Sequence, residues 1–161
     1  MNKIRVRRAK PEELMDKIAD IVLDTFLSET HGHIKELEGT NVTSKDKFYD
    51  FYVRRAKSNI PFVIFVAEIN NKIIGLAGGA VSEHPWATDL WGAEDFWFVK
   101  KEYRKGKTGI KLFEKLMEWF KNNNAKRIQM THYTWNPGIK DFYKKQGLKP
   151  FEVCYVYKVG E

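Results

Sequence analysis

The chain has little of what marks secreted, membrane-spanning or disordered proteins. It carries one cysteine, Cys154, in 161 residues. A lone thiol cannot close an internal disulfide, which excludes a disulfide-stapled scaffold and suits a reducing compartment. Cys154 falls in an apolar terminal pattern and is expected to be buried filler. No apolar run approaches the roughly 20 residues of a membrane span, so no membrane partner is expected. Met1–Lys10 has no apolar centre like that of a signal peptide, and a cytoplasmic location is the expectation. There are no internal repeats and no linker. A single domain over residues 1–161 follows, long enough for a real core. Aromatic residues reach 14%, which excludes a disordered chain.

Acidic residues are in the minority, 21 against 28 Lys and Arg, for a net charge of +7. Residues 81–161 hold 15 of the basic and 10 of the acidic residues, so the excess lies mainly in the second half. Such a surplus suits an anionic cofactor. What remains is open to an acidic acceptor or nucleic acid, or is a solvated basic surface.

The densest basic segment is also the most informative. Asp95-Phe96-Trp97-Phe98-Val99 reads as a buried strand. Lys100 to Lys107 is a turn in which five of eight residues are Lys or Arg. Thr108 opens an amphipathic helix. Strand, turn and helix N-terminus together make an anion site, because the first helical N–H groups lack partners and the macrodipole adds positive charge. A di- or polyphosphate is the expected guest. Gly106-Lys107-Thr108 ends like a Walker loop, but Lys101 stands where its first glycine would be. A dinucleotide fingerprint needs three glycines, and only Gly106 and Gly109 are present.

Periodicity sets the remaining elements. Ile4–Ala9 alternates as a strand. Pro11 opens a helix with Leu14, Ile18, Ile21, Val22 and Phe26 on its apolar face. A loop over 28–44 holds His31 and His33, which lack a ligand set for a metal. Ser44 is placed as the cap of a second helix, with Phe48, Phe51 and Tyr52 on one face. Phe62–Ile69 and Lys72–Val81 form a hairpin through Asn70-Asn71. Ser82–Leu90 is expected as a loop and Glu94–Lys100 as a strand. Thr108–Asn122 is a helix with Ile110, Leu112, Phe113, Leu116, Met117 and Phe120 inward. A strand over Lys126–Thr134, a helix over Pro137–Gln146 and a last strand over Glu152–Val159 complete the chain.

Two segments resemble motifs of the GCN5-related N-acetyltransferases. Arg104 and Gly109 match the ends of that family's [QR]-x-x-G-x-[GA] turn, with Lys107 where the first glycine usually stands. Asn136, Tyr143, Gly147 and Leu148 match N-x-x-A-x-x-x-Y-x-x-x-G-[FL], with Ile139 for the alanine. The resemblance implies an α/β (α+β) fold: a mixed, mostly antiparallel sheet whose strands splay apart to admit the cofactor, with helices on both faces. It implies acetyl-CoA as cofactor, held by backbone groups at Phe98 and Val99, by the turn Arg104, Lys105, Gly106, Lys107, Thr108 and Gly109, and by Asn136 and Tyr143. It implies direct transfer of acetyl to a small-molecule or peptide amine, with Tyr143 serving the departing sulfur. Family members often pair through their last strands, which leaves a homodimer open.

Glu94 and Asp95 are the general-base candidates, because a carboxylate at the start of an apolar strand is partly desolvated. Side chains alternate along a strand, so only one of them can face the acceptor. The spacing from Val99 that the family resemblance implies favours Asp95, and a bulge would reverse the choice. Trp86, Trp97 and His132 are placed at the acceptor, with Trp91 and Trp135 nearby. Asn136 before Pro137 also suits a helix N-cap. Two rival readings share the fold. One is a non-catalytic module binding coenzyme A, nucleic acid or protein. The other is a transferase whose acceptor is a nucleic acid, the less favoured partner.

Overall fold

The computed structural model describes residues 3–30, 45–156 and 159. His31, His33 and the Ser44 cap lie outside the described residues. Five strands form one sheet in the order β1-β2-β3-β4-β5. β1 (Arg5–Arg8), β2 (Phe62–Ile69), β3 (Lys72–His84) and β4 (Ala87–Val99) are antiparallel neighbours, and β5 (Arg127–Gln129) joins β4 in parallel. α1 (Ala19–Thr30) and α2 (Lys45–Lys57) pack on one face; α3 (Thr108–Asn122) packs on the other, with α4 (Pro137–Lys145) beyond it. This is the expected mixed sheet with helices on both faces.

Several local choices explain the elements. Asn70 and Asn71 adopt φ of 49° and 61°, which asparagine tolerates better than most residues, and the resulting tight turn matches the twist of a hairpin. β2 and β3 are buried along nearly their whole length because both faces are covered. α3 buries Leu112, Phe113, Leu116, Trp119 and Phe120 against the sheet, each worth roughly 2 kcal/mol. Phe120 presses into it where Gly79 and Gly92 stand. A Cβ on either would come within 2.7 Å of its ring, so the helix seats closely only on glycine at these positions.

Four expectations need correction. The first helix does not begin at Pro11; a π-helical turn over Leu14–Ile18 precedes α1, after Glu13 has been drawn into an ion pair with Arg7. The expected loop over 82–90 is instead paired, since β3 and β4 continue to His84↔Ala87. The strand after α3 stops at Gln129 rather than Thr134. No strand is described over Glu152–Val156, where Cys154 is exposed rather than buried. β5 is too short to offer this segment much of a ladder. Glu152 is tied to Gln129 at 2.9 Å and Phe151 rests on Trp91, while Tyr155 is 92% exposed.

Candidate active site

β4 and β5 pair only at Trp91↔Arg127, Gly92↔Ile128 and Ala93↔Gln129. Beyond these pairs they separate, and a cleft of about 580 Å³ opens between them. Its floor is β4 from Glu94 to Val99. Its walls are Arg104, Gly106, Gly109 and Ile110 on one side, Thr131–Tyr133, Asn136, Ile139 and Phe142 on another, and Val22 and Thr25 of α1 at the mouth.

The backbone of β4 alternates between its neighbour and this gap. Lys100 N donates to Ile74 O at 2.9 Å, and Phe98 pairs with Leu76 two residues earlier. The amides of Lys100 and Phe98 are therefore turned to β3. Those of Val99 and Trp97 are turned to the gap. Arg104 Nε reaches the gap side of Val99 and donates to its carbonyl at 2.7 Å. The expectation for Phe98 is corrected accordingly: it lines the cleft with its ring, while its backbone serves the sheet.

The register of β3 on β4 shifts between Gly78 and Gly79, which face Phe96 and Glu94. Asp95 is thus an extra residue, a bulge. Asp95 and Phe96 both turn toward α2, where Asp95 pairs with Arg55 and accepts from the Tyr52 hydroxyl at 3.1 Å, and Phe96 packs near Phe48. Glu94 takes the opposite face. Its Oε2 accepts from Thr131 N at 2.9 Å and lies 3.5 Å from the Tyr143 hydroxyl. The carboxylate therefore bridges the two strands where they part. Burial, followed by the neighbouring Asp95 charge, raises its pKa to about 7, while the Thr131 and Tyr143 hydrogen bonds pull the other way. The Tyr143 hydroxyl donates to Thr131 O at 3.0 Å, and burial with the nearby Glu94 charge pushes its pKa well above the ordinary range.

At the far end, α3 starts without a side-chain cap and without an acidic residue in its first turn. Lys107 stands at the N-cap with φ of −83°, a conformation any residue adopts, so lysine in place of glycine costs no strain there. A Cβ on Gly106 would meet nothing within 4 Å, leaving the turn open to a guest. Buried Thr108 Oγ1 has no hydrogen-bond partner among the described residues. Open turn, uncapped amides and Arg104 suit an anion.

The sequence profile of the Acetyltransferase (GNAT) family matches residues 16–148. The chain belongs to the GNAT family. No curated protein matches it. Solved structures share its fold. A predicted acetyltransferase with acetyl-CoA from Clostridium acetobutylicum has a TM-score of 0.74 at 17% identity, covering 96% of each chain. An aminoglycoside acetyltransferase from an uncultured soil metagenomic sample, in complex with sisomicin, has a TM-score of 0.71 at 16% identity, covering 98% of this chain and 97% of its own. Glucosamine-6-phosphate N-acetyltransferase from Arabidopsis thaliana has a TM-score of 0.69 at 17% identity, covering 98% and 99%.

On this GNAT chain the expected site residues divide. Glu94, Asp95, Trp97, Phe98, Val99, Arg104, Gly106, Gly109, His132 and Asn136 line the cleft. Thr108 is buried beneath it, and Lys105 and Lys107 are exposed outside its lining. Tyr143 sits behind Glu94. Trp86 does not join the cleft: it is 89% exposed at the tip of the β3–β4 hairpin, because those strands run on where a loop was expected. Trp91 stacks on His84 at 4.1 Å and Trp135 on Tyr133 at 4.7 Å, so of the tryptophans expected at or near the acceptor only Trp97 lines the cleft, and its indole donates to Gly109 O at 3.1 Å. Asn136 occupies the N-cap position of α4 but makes no capping bond. Gly147, with φ of +83°, follows that helix, and Leu148 N returns to Tyr143 O at 3.0 Å. The glycine thereby fixes the backbone that carries the phenol.

Sequence reasoning missed Thr131 and Arg55. Thr131 acts through its backbone N–H, which no side-chain pattern reveals. Arg55 follows Tyr52 by one turn on α2, a spacing that shows they share a face but not that Asp95 lies opposite.

Proposed function

We propose that this GNAT chain is an acetyl-CoA-dependent N-acetyltransferase that transfers acetyl directly to a small-molecule or peptide amine in a ternary complex. The observation that carries the reading is Glu94, a carboxylate with pKa near 7 on the floor of the cleft that leads to the uncapped start of α3. The fold shared with an aminoglycoside acetyltransferase and a glucosamine-6-phosphate N-acetyltransferase supports an amine as acceptor.

Arg104 and the first amides of α3 would hold the pyrophosphate, and the gap-facing amides of Trp97 and Val99 the pantetheine arm. When bound, acetyl-CoA supplies the thioester carbonyl that the amine attacks and the thiolate that leaves. Glu94, in its ionised form, takes the proton the amine loses as the C–N bond forms. The Val99 N–H donates to the carbonyl oxygen as that oxygen gains charge. Tyr143, which sits behind Glu94, would be the acid for the departing sulfur and would recover its proton from Glu94, so that the amine's proton would end on the thiol. Among the described residues lining the cleft there is no cysteine or serine, which favours direct transfer over an acyl-enzyme.

The test is initial-rate kinetics of thiol release from acetyl-CoA against a panel of primary amines. Intersecting double-reciprocal lines are expected. Parallel lines, or thiol release without amine acetylation, would overturn direct transfer.

A further inference from the structure

Arg55 reaches Asp95 from α2, and the pair is well enclosed: the side chains are 17% and 19% exposed. The guanidinium lies 4.5 Å above the Phe51 ring and 5.6 Å from that of Tyr52. Tyr52, itself buried, donates to the same carboxylate oxygen. Two groups of one helix, Arg55 and Tyr52, thus converge on the bulge residue of β4, with the Phe51 ring under the guanidinium. The next residue back is Glu94, on the other face. Where a bulge doubles two residues onto one face, either carboxylate can in principle occupy the cleft side.

We propose that Arg55 is a positioning residue for Glu94: by pairing with Asp95 it fixes the bulge that turns Glu94 into the cleft, and it cancels the negative charge beside it. This rests on the reading of Glu94 as the base. The groups facing Glu94 are few. α4 presents the Tyr143 hydroxyl, and the segment after β5 presents Thr131 N–H, with the His132 ring 6.3 Å from that of Tyr143. β4 presents Asp95. α3 brings Gly109 and Ile110 to the cleft and α1 brings Val22 and Thr25, none of them titratable, and the turn before α3 brings the Arg104 cation, whose Nε is bonded to Val99 O. Asp95 is the only neighbouring carboxylate among the described residues lining the cleft, and Arg55 balances it.

Opposite shifts follow from the charges. Arg55→Met leaves Asp95 uncompensated, so Glu94 holds its proton more tightly. Asp95→Asn removes the like charge, so Glu94 releases its proton more easily. The experiment is a carbon-detected NMR titration of the Glu94 carboxyl in the full chain, with the pH profile of kcat/KM for one fixed amine alongside. The midpoint should rise by about half a pH unit in Arg55→Met and fall by a similar amount in Asp95→Asn. The double variant should follow Asp95→Asn, and Arg55→Lys should restore the wild-type midpoint. A purely structural role would move both single variants the same way or neither, and that result would overturn the proposal. Glu94→Gln separates the two readings. Unchanged kcat/KM in that variant would sink the base, whereas an inactive Glu94→Gln with unmoved midpoints would sink Arg55 alone.

Discussion

Two carboxylates in this chain, the buried Glu13 and the half-buried Glu94, have opposite characters. Glu13 is gripped by Arg7, whose Nη1 and Nη2 reach its two oxygens at 2.8 and 2.9 Å, and it also accepts from Lys10 N at 2.9 Å. Arg7 Nε holds Glu68 as well, at 2.9 Å. The side-chain bonds from Arg7 outweigh desolvation and lower the Glu13 pKa to about 2. Glu94 accepts from the Thr131 amide, has the Tyr143 hydroxyl 3.5 Å away and pairs with no cation among the described residues, and its pKa rises to about 7. The difference teaches that burial alone does not make a carboxylate useful. A paired one is a fastener, fixed in charge across all ordinary pH. A desolvated one bound only by neutral donors exchanges its proton where chemistry needs it.

Removing the fastener should have the largest effect. Arg7→Met leaves Glu13 and Glu68 without their shared cation and should cost about 3 kcal/mol of stability or more, read as a fall in the urea midpoint. kcat of the folded fraction should be unchanged. Glu94→Gln should do the reverse. It should lower kcat/KM about 100-fold and leave the urea midpoint at neutral pH unchanged or higher. If it proved as destabilising as Arg7→Met, the contrast would fail.

The pH dependence of stability sharpens the comparison further. Glu13 has its folded pKa lowered from 4.5 to about 2, so its contribution is present above pH 4.5 and is lost as pH falls toward 2. Glu94 has its folded pKa raised from 4.5 to about 7, so its contribution is present below pH 4.5 and is lost as pH rises through 7. Denaturant midpoints should therefore decline between pH 4.5 and 8 by an amount that Glu94→Gln removes. That amount is about 2 kcal/mol, less than the full shift because Glu94 is only half-buried.

Much of this was legible in the residues. The Asn70-Asn71 turn, the apolar face of α3 and the two motifs around Arg104 and Tyr143 are local signals, set by backbone preference and period. They placed the sheet, the helices and the two sides of the cleft. What was not legible depends on partners far along the chain. Whether Glu94 or Asp95 faces the cleft is decided by a bulge opposite Gly78 and Gly79. Trp86 looked like a cleft residue until β3 and β4 proved to pair out to His84. Thr131 contributes only an amide, and amides carry no sequence signature. Arg55 meets Asp95 across 40 positions, and helix periodicity shows which side of α2 it lies on without showing what lies opposite.

The bulge has a further consequence, in the tolerance of β4 to changes of length. In a regular strand, losing one residue turns every side chain on one side of the gap to the wrong face. Asp95 and Phe96 already share a face, so deleting either one restores strict alternation and leaves Glu94 and Trp97 where they are. This strand thus carries a spare position beside its most sensitive residue. A one-residue deletion there keeps the alternation that a deletion elsewhere in β4 would break, and a sequence shorter by one at this point can still present the same carboxylate to the same cleft.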